Sequence, residues 1–141
     1  MADTFKHKAL ELRDTDRPLV YTAMSKHLFY FREHISKFVL QQGGVPLNPF
    51  MTFNYFMLDT VDRDVVRQAN NTLVARADQL WMFGPISDGA LAEIIQAKEQ
   101  GKIVRYFGVV DSREIVEYSK SDAEMEPEVE GKRAFLWYAL V

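Results

Sequence analysis

Short runs of apolar residues alternate along this chain with segments whose apolar residues recur every three or four positions. The apolar runs cover residues 18–23, 45–47, 77–84 and 102–109, and residues 115–118 are a candidate for a fifth. Short apolar runs bounded by turn residues are typical of buried strands, whereas the longer period is that of a helix buried on one face. Strands that alternate with helices over short connections form βαβ units, so the pattern predicts a sheet covered by helices on both faces.

The predicted fold class is therefore α/β, with a doubly wound, mostly parallel sheet of four to five strands of the flavodoxin or Rossmann type. The first and third runs are the most apolar and should be central, which gives the strand order 2-1-3-4-5. At 141 residues the chain suits one domain, with a core over 18–109 and a C-terminal extension over 110–141. Within the extension, the acidic stretch 119–132 predicts a mobile surface loop, and the apolar tail 134–141 should pack on its own domain or on a partner.

Composition excludes several classes of function. The chain has no cysteine, hence no disulfide and no thiol nucleophile, and a reducing cytoplasm is the expected location. A net charge of −3 argues against binding of nucleic acid, and no apolar run is long enough to span a membrane. His7, His27 and His34 do not cluster with carboxylates, so neither a metal site nor another cofactor is expected.

The start of the chain also bears on location. Residues 1–7 lack the basic and then apolar arrangement of a signal peptide. This agrees with the expected cytoplasmic location.

Ligands of open α/β sheets bind beyond the carboxyl ends of the strands. The segment from Gly84 to Glu93 follows the third strand there, and Gly84 and Gly89 permit backbone conformations that other residues resist. Ser87 or Asp88 can cap the helix that follows, and a simple N-cap with a turn is the structural alternative to a functional loop.

Glu93 is the one charged residue within the otherwise apolar stretch 89–97. A carboxylate among apolar residues is costly unless it is paired, which makes Glu93 a functional candidate. The alternative is that Glu93 points outward on a thin polar stripe with Gln96 and Gln100.

Several of these segments together resemble the nucleoside 2-deoxyribosyltransferase-like superfamily over about residues 18–109. The similarity rests on Tyr21 near the end of the first strand, Ala77-Asp78 at the start of the third, Asp88-Gly89-Ala90-Leu91-Ala92-Glu93, and Gly101-Lys102-Ile103-Val104. The resemblance implies that Glu93 is the nucleophile that attacks the anomeric carbon of a nucleoside. It also implies that the Tyr21 hydroxyl orients Glu93, and that Asp88 binds the sugar or the base.

The chain departs from that family at two places. Asn70 stands where the transferases carry an aspartate, and an asparagine can hydrogen-bond a ligand but cannot transfer a proton. The loop after the first strand lacks the family's usual glycine. Ser25 and Ser87 precede predicted helices, whose N-termini suit a phosphate, so a nucleotide 5′-monophosphate is a candidate substrate.

These features leave three hypotheses open. The first is an enzyme that cleaves the N-glycosidic bond of a nucleoside or nucleotide and transfers the sugar to another base or to water. The second is a non-catalytic nucleotide-binding module, which Asn70 would suit, and the third is an oligomeric interaction protein. The segment with Phe50, Phe53, Tyr55, Phe56 and Met57 predicts either a lid that stacks on a base or a core or interface, and together with the apolar tail it predicts a homodimer or higher homo-oligomer.

Overall fold

Five strands form one sheet in a computed structural model that describes residues 5–53 and 60–137. The strands are β1 (Leu19–Met24), β2 (Val45–Leu47), β3 (Gln79–Phe83), β4 (Ile103–Val110) and β5 (Glu114–Tyr118). Their order across the sheet is β2-β1-β3-β4-β5. Strands β1, β2, β3 and β4 pair in parallel, which confirms the predicted α/β class and strand order.

Strand β5 runs antiparallel to β4 and is the exception in a sheet that is otherwise parallel, as the predicted mostly parallel sheet allows. Only residues 111–113 separate the two strands. A parallel neighbour requires a crossover of a dozen or more residues, whereas an antiparallel one needs only a tight turn. Asp111 and Ser112 take positive φ values of 54° and 52° in this turn.

Helices lie on both faces of the sheet, as the apolar pattern predicted. The segment after Ser25 begins as a 3-10 helix, Lys26–Phe31, before it continues as an α-helix. The α-helices are α1 (Lys8–Glu11), α2 (Arg32–Gln41), α3 (Pro49–Thr52), α4 (Arg63–Arg76) and α5 (Asp88–Glu99). None of the helices within the described ranges is long and apolar enough to cross a membrane.

The alternating side chains of the strands form two apolar clusters. Tyr21, Leu80 and Met82 belong to the cluster that includes residues of α4 and α5. Val20 and Trp81 belong to the cluster that includes residues of α2. Strand β1 thus contributes to both layers, as a central strand of a doubly wound sheet must.

The acidic stretch predicted as a mobile loop is instead packed against the domain. Ala123 and Val129 are buried, and Met125 forms a parallel bridge with Ile86. A 3-10 segment, Pro127–Trp137, follows and buries Leu136, whereas residues 138–141 of the apolar tail lie outside the described ranges. The expectation was wrong because apolar residues recur among the acidic ones and supply a buried face.

Two of the segments that carry the family resemblance have structural roles in this fold. The Asp78 carboxylate accepts a hydrogen bond from the backbone N–H of Leu19 at 2.8 Å and so holds the start of β1 beside the start of β3. The Lys102 ammonium donates to the carbonyl groups of Val74 and Ala75 at the end of α4. A cation at a helix C-terminus pairs with carbonyls that lack partners within the helix.

Replacing Asp78 should destabilise the fold without affecting a ligand. We expect Asp78→Ala to lower the free energy of unfolding by about 1–2 kcal/mol, because the Leu19 N–H loses its acceptor. Asp78→Asn retains an acceptor oxygen and should lose less. Urea denaturation measures both, and Glu99→Ala, on an exposed site of α5, is the control with an expected change within about 0.5 kcal/mol. Equal losses for Asp78→Ala and Asp78→Asn would contradict the role of this hydrogen bond.

Candidate functional site

A tyrosine from the central strand β1 and a glutamate from α5 are joined by a hydrogen bond between their side chains. Tyr21 is the third residue of β1, fully buried, and its Cα is paired with Leu47 on one side and Leu80 on the other. Glu93 lies in the second turn of α5 and is partly buried. The Tyr21 hydroxyl donates a hydrogen bond to Oε2 of Glu93. The prediction that these two groups would lie within hydrogen-bond reach is confirmed, and the outward orientation of Glu93 is not observed.

Burial raises the pKa of both partners. Desolvation raises the pKa of Glu93 from 4.5 to about 7, although the hydrogen bond from Tyr21 acts in the opposite direction. Burial, and then the nearby carboxylate, raise the pKa of Tyr21 well above its ordinary value, so the phenol keeps its proton and remains a donor. Near neutral pH, Glu93 therefore exchanges between an acid and a carboxylate beside a fixed hydroxyl donor.

The pair borders a cavity of about 420 Å³ between α3, α4 and α5. This volume is within the range of small-molecule sites, which are commonly about 300–1,000 Å³. Apolar side chains of Phe50 and Phe53 form part of the lining, and Asn70 of α4 and Gln96 of α5 add polar groups. The cavity combines an apolar wall with a few polar groups, as sites for small organic ligands usually do.

Five of the seven predicted site residues border this cavity. They are Tyr21, Asn70, Ser87, Gly89 and Glu93. The two aromatic residues of the predicted lid that the structure describes, Phe50 and Phe53, also border it, whereas Tyr55, Phe56 and Met57 lie outside the described residues.

Ser25 and Asp88 are not among the described residues that border the cavity. Ser25 is buried and accepts a hydrogen bond from the N–H of His27, so it caps the 3-10 helix after β1. Asp88 is exposed, and its Oδ1 accepts from the N–H of Gly89 at 2.7 Å. Their predicted contacts with substrate remain predictions, and the structure gives both residues a role in helix capping.

The N-terminus of α5 already has acceptors for its first N–H groups. The N–H of Asp88 donates to Glu128 at 3.3 Å, and the N–H of Ala90 donates to the Ser87 hydroxyl at 3.2 Å. A phosphate at this helix end would have to displace these side chains. Gly84 has a φ of +78°, as a turn glycine can, whereas Gly89 lies in the first turn of α5.

Gln96 borders this cavity but was not among the predicted site residues. It was considered only as part of an exposed polar stripe with Gln100, and of the two Gln100 alone is exposed. The helical spacing held the necessary signal, because residues three apart in a helix share a face. Once Glu93 faces the cavity, Gln96 must lie on the same side.

Within the described residues, no group of three or more His, Asp or Glu side chains is arranged to hold a metal ion. Among the described lining residues, Glu93 is the carboxylate and Arg67 the cation, and Arg67 is paired with Asp64 at 2.9 Å.

A Rossmann-like α/β domain with a buried phenol and carboxyl pair beside an apolar cavity is the class that fold and site define. Within this class, residues 21–107 match the model of a family described as a domain of unknown function, DUF7768. The match covers more than half of the chain, and the protein belongs to this family. The matched segment begins at Tyr21 and includes Glu93. A comparison with curated proteins found no similar sequence.

The raised pKa of Glu93 should make stability depend on pH. Between pH 4.5 and about 7 the folded state holds a proton that the unfolded state has lost, so the free energy of unfolding falls as pH rises through this window. The shift corresponds to at most about 3 kcal/mol, and Glu93→Gln lacks it. We therefore expect Glu93→Gln to gain stability relative to the wild type as pH rises from 4.5 to 8.

Urea denaturation at several pH values tests this expectation. Glu99→Gln makes the same substitution at an exposed position of the same helix, and its stability should follow that of the wild type throughout. Parallel pH curves for Glu93→Gln and the wild type would show that Glu93 ionises as it does in the unfolded chain.

Proposed function

We propose that this protein cleaves the N-glycosidic bond of a nucleoside or nucleotide, with Glu93 as nucleophile and Tyr21 as the residue that orients it. The observation that carries the proposal is the hydrogen bond between the Tyr21 hydroxyl and the Glu93 carboxyl at the border of a ligand-sized cavity. The similarity to the nucleoside 2-deoxyribosyltransferase-like superfamily supplies the substrate class, and Tyr21 and Glu93 are the matching positions.

The chemistry requires an ionised carboxylate that faces the anomeric carbon. A Glu93 oxygen forms a bond to this carbon as the carbon–nitrogen bond breaks, and the bonding electron pair leaves with the base, which takes up a proton from solvent. Tyr21 donates to the other carboxylate oxygen and fixes the orientation of the group. Burial makes the carboxylate less solvated and its oxygen more basic, which favours attack on a carbon that gains positive charge.

The glycosyl ester is then resolved by a second acceptor. Water or another base attacks the anomeric carbon and loses its proton to solvent, and Glu93 leaves with the electron pair of the ester bond. Two displacements give net retention of configuration. Asn70 would contact the base or the sugar by hydrogen bonds, and proton supply to the base falls to solvent because an asparagine does not titrate.

Substitution of the pair should separate the two roles. Glu93→Gln retains the shape of the side chain but removes the nucleophile, so base release should fall by several orders of magnitude while ligand binding persists. Tyr21→Phe removes one hydrogen bond to a charged group and should lower kcat by about 10- to 100-fold. Chromatographic detection of free base from a panel of nucleosides and 5′-monophosphates measures both, with Glu99→Gln as the control on α5 that should retain full activity.

The pH profile gives a readout that a purely structural role of Tyr21 would not move. Because ionised Glu93 is required, kcat/KM should rise with pH through about 7 and then level. The Tyr21 hydrogen bond lowers the pKa of Glu93, so Tyr21→Phe should shift this rise to higher pH. A profile that Tyr21→Phe leaves in place would contradict the orienting role, and full activity of Glu93→Gln would contradict the mechanism.

A non-catalytic nucleotide-binding module is the second candidate, and Asn70 favours it because the transferases have an aspartate there. Nucleotide binding that stabilises the protein thermally, with no base release from any member of the panel, would support the module over the enzyme. An interaction protein would show neither.

We also propose a homodimer in the cytoplasm. Phe135 and Trp137 are 42% and 47% exposed, which is high for large apolar side chains at the end of a small domain. Light scattering during size-exclusion chromatography at micromolar concentration should give twice the mass of the chain. A monomeric mass would contradict the dimer but not the glycosidic chemistry.

A further inference from the structure

Two carboxamide side chains border the cavity from neighbouring helices. Asn70 lies on α4 and Gln96 on α5. Oδ1 of Asn70 and Oε1 of Gln96 are both buried without a hydrogen-bond donor in the described part of the chain. Buried polar atoms of native proteins are nearly always hydrogen-bonded, and a turn of each amide about its terminal torsion would bring its oxygen to a ligand in the cavity.

The two carboxamides lie at similar distances from the starts of their own helices. Helices α4 and α5 pack against each other. Asn70 is seven residues beyond the start of α4 and Gln96 eight beyond the start of α5, which places them about 10 and 12 Å along their helices. Gln96 is also three residues after Glu93, hence about 4.5 Å further along the same face of α5. A ligand that reaches from Glu93 along α5 would meet Gln96 next, with Asn70 contributed by the opposite helix.

The chemistry of a carboxamide restricts what this ligand presents. Each group offers donors and an acceptor in one plane, and its terminal torsion turns with little preference. A phosphate presents acceptors only and would leave both oxygens unsatisfied. The edge of a nucleobase presents neighbouring donors and acceptors in a plane, which is the arrangement that Asn and Gln pair with through two hydrogen bonds.

We propose that Gln96, together with Asn70, binds the edge of the base and sets the base preference of this site. The inference rests on the proposed function for the nature of the ligand, and it adds the residue that distinguishes one base from another. The anomeric carbon lies against Glu93, and the base extends toward Gln96 by one turn of α5.

Binding of free bases tests this proposal separately from any reaction. Isothermal titration calorimetry with adenine, guanine, hypoxanthine, cytosine, uracil and thymine, and with their 2-deoxyribonucleosides, should show a preferred base for the wild type. Gln96→Met retains the length of the side chain but removes its polar atoms. We expect the Kd for the preferred base to rise by roughly tenfold or more and the ranking of bases to flatten. The melting temperature should stay equal or rise, because a buried acceptor without a partner has been removed.

Gln100→Met is the matched control, since it makes the same substitution at an exposed position of the same region and should leave every Kd unchanged. Gln96→Glu retains the shape but loses the donors, and it should weaken most the bases that present an acceptor to this residue. It also serves as the second variant should Gln96→Met fail to fold.

The outcomes separate this proposal from the proposed function. An unchanged Kd and ranking in both Gln96 variants, or a wild type that binds none of the bases or nucleosides, would overturn the role of Gln96. Base binding that depends on Gln96 without base release from any nucleoside would support the role of Gln96 and count against the glycosidic reaction. Base release with a base preference that is unchanged in the Gln96 variants would support the glycosidic reaction and count against the role of Gln96.

Discussion

Strand β1 is hydrogen-bonded on both of its sides, to β2 and to β3, and the arrangement of the domain depends on this double pairing. A strand with two parallel neighbours must be buried on both faces, and all but the first of its six residues are buried. Tyr21 stands in the middle of this strand, so its ring is fixed by the core and its hydroxyl can point only where the packing directs it. The position of α5 follows from the parallel pairing of β3 with β4, because a right-handed crossover between these strands places the helix over this face.

Fixing the hydroxyl in this way has an energetic consequence for its partner. The carboxyl of Glu93 loses water on entering its site, and one hydrogen bond from a phenol offsets only part of that loss, as the raised pKa records. An arrangement that weakens the fold near neutral pH is one that a purely structural role would not require. Functional sites commonly carry such a cost, because a reactive group has to be held ready in the absence of its ligand.

Much of this could be predicted from the sequence, and the successes and failures have physical causes. The strand order follows from apolar periodicity and the handedness of crossovers. The Tyr21–Glu93 contact was expected from the family resemblance, together with the placement of both residues at the same edge of the sheet. The direction of β5 follows from its short link to β4, because the apolar runs 102–109 and 115–118 leave too few residues between them for a crossover. The packing of residues 119–132 was missed because the charge of that stretch concealed a few apolar residues whose partners lie far away in sequence. Gln96 was missed because it was grouped only with the exposed Gln100, although its spacing of three from the predicted site residue Glu93 places it on the same face of the helix.

The C-terminal extension acts on the site from outside the range that defines the family. The family match ends at residue 107, yet the backbone of Ile86 exchanges hydrogen bonds with Glu124 and Glu126, and Glu128 meets the first N–H of α5. These hydrogen bonds hold the turn between β3 and α5 in place. A relative that shares only residues equivalent to 21–107 would need other contacts to hold the turn between β3 and α5. The segment that defines the sequence family therefore ends before the residues that hold this turn in place.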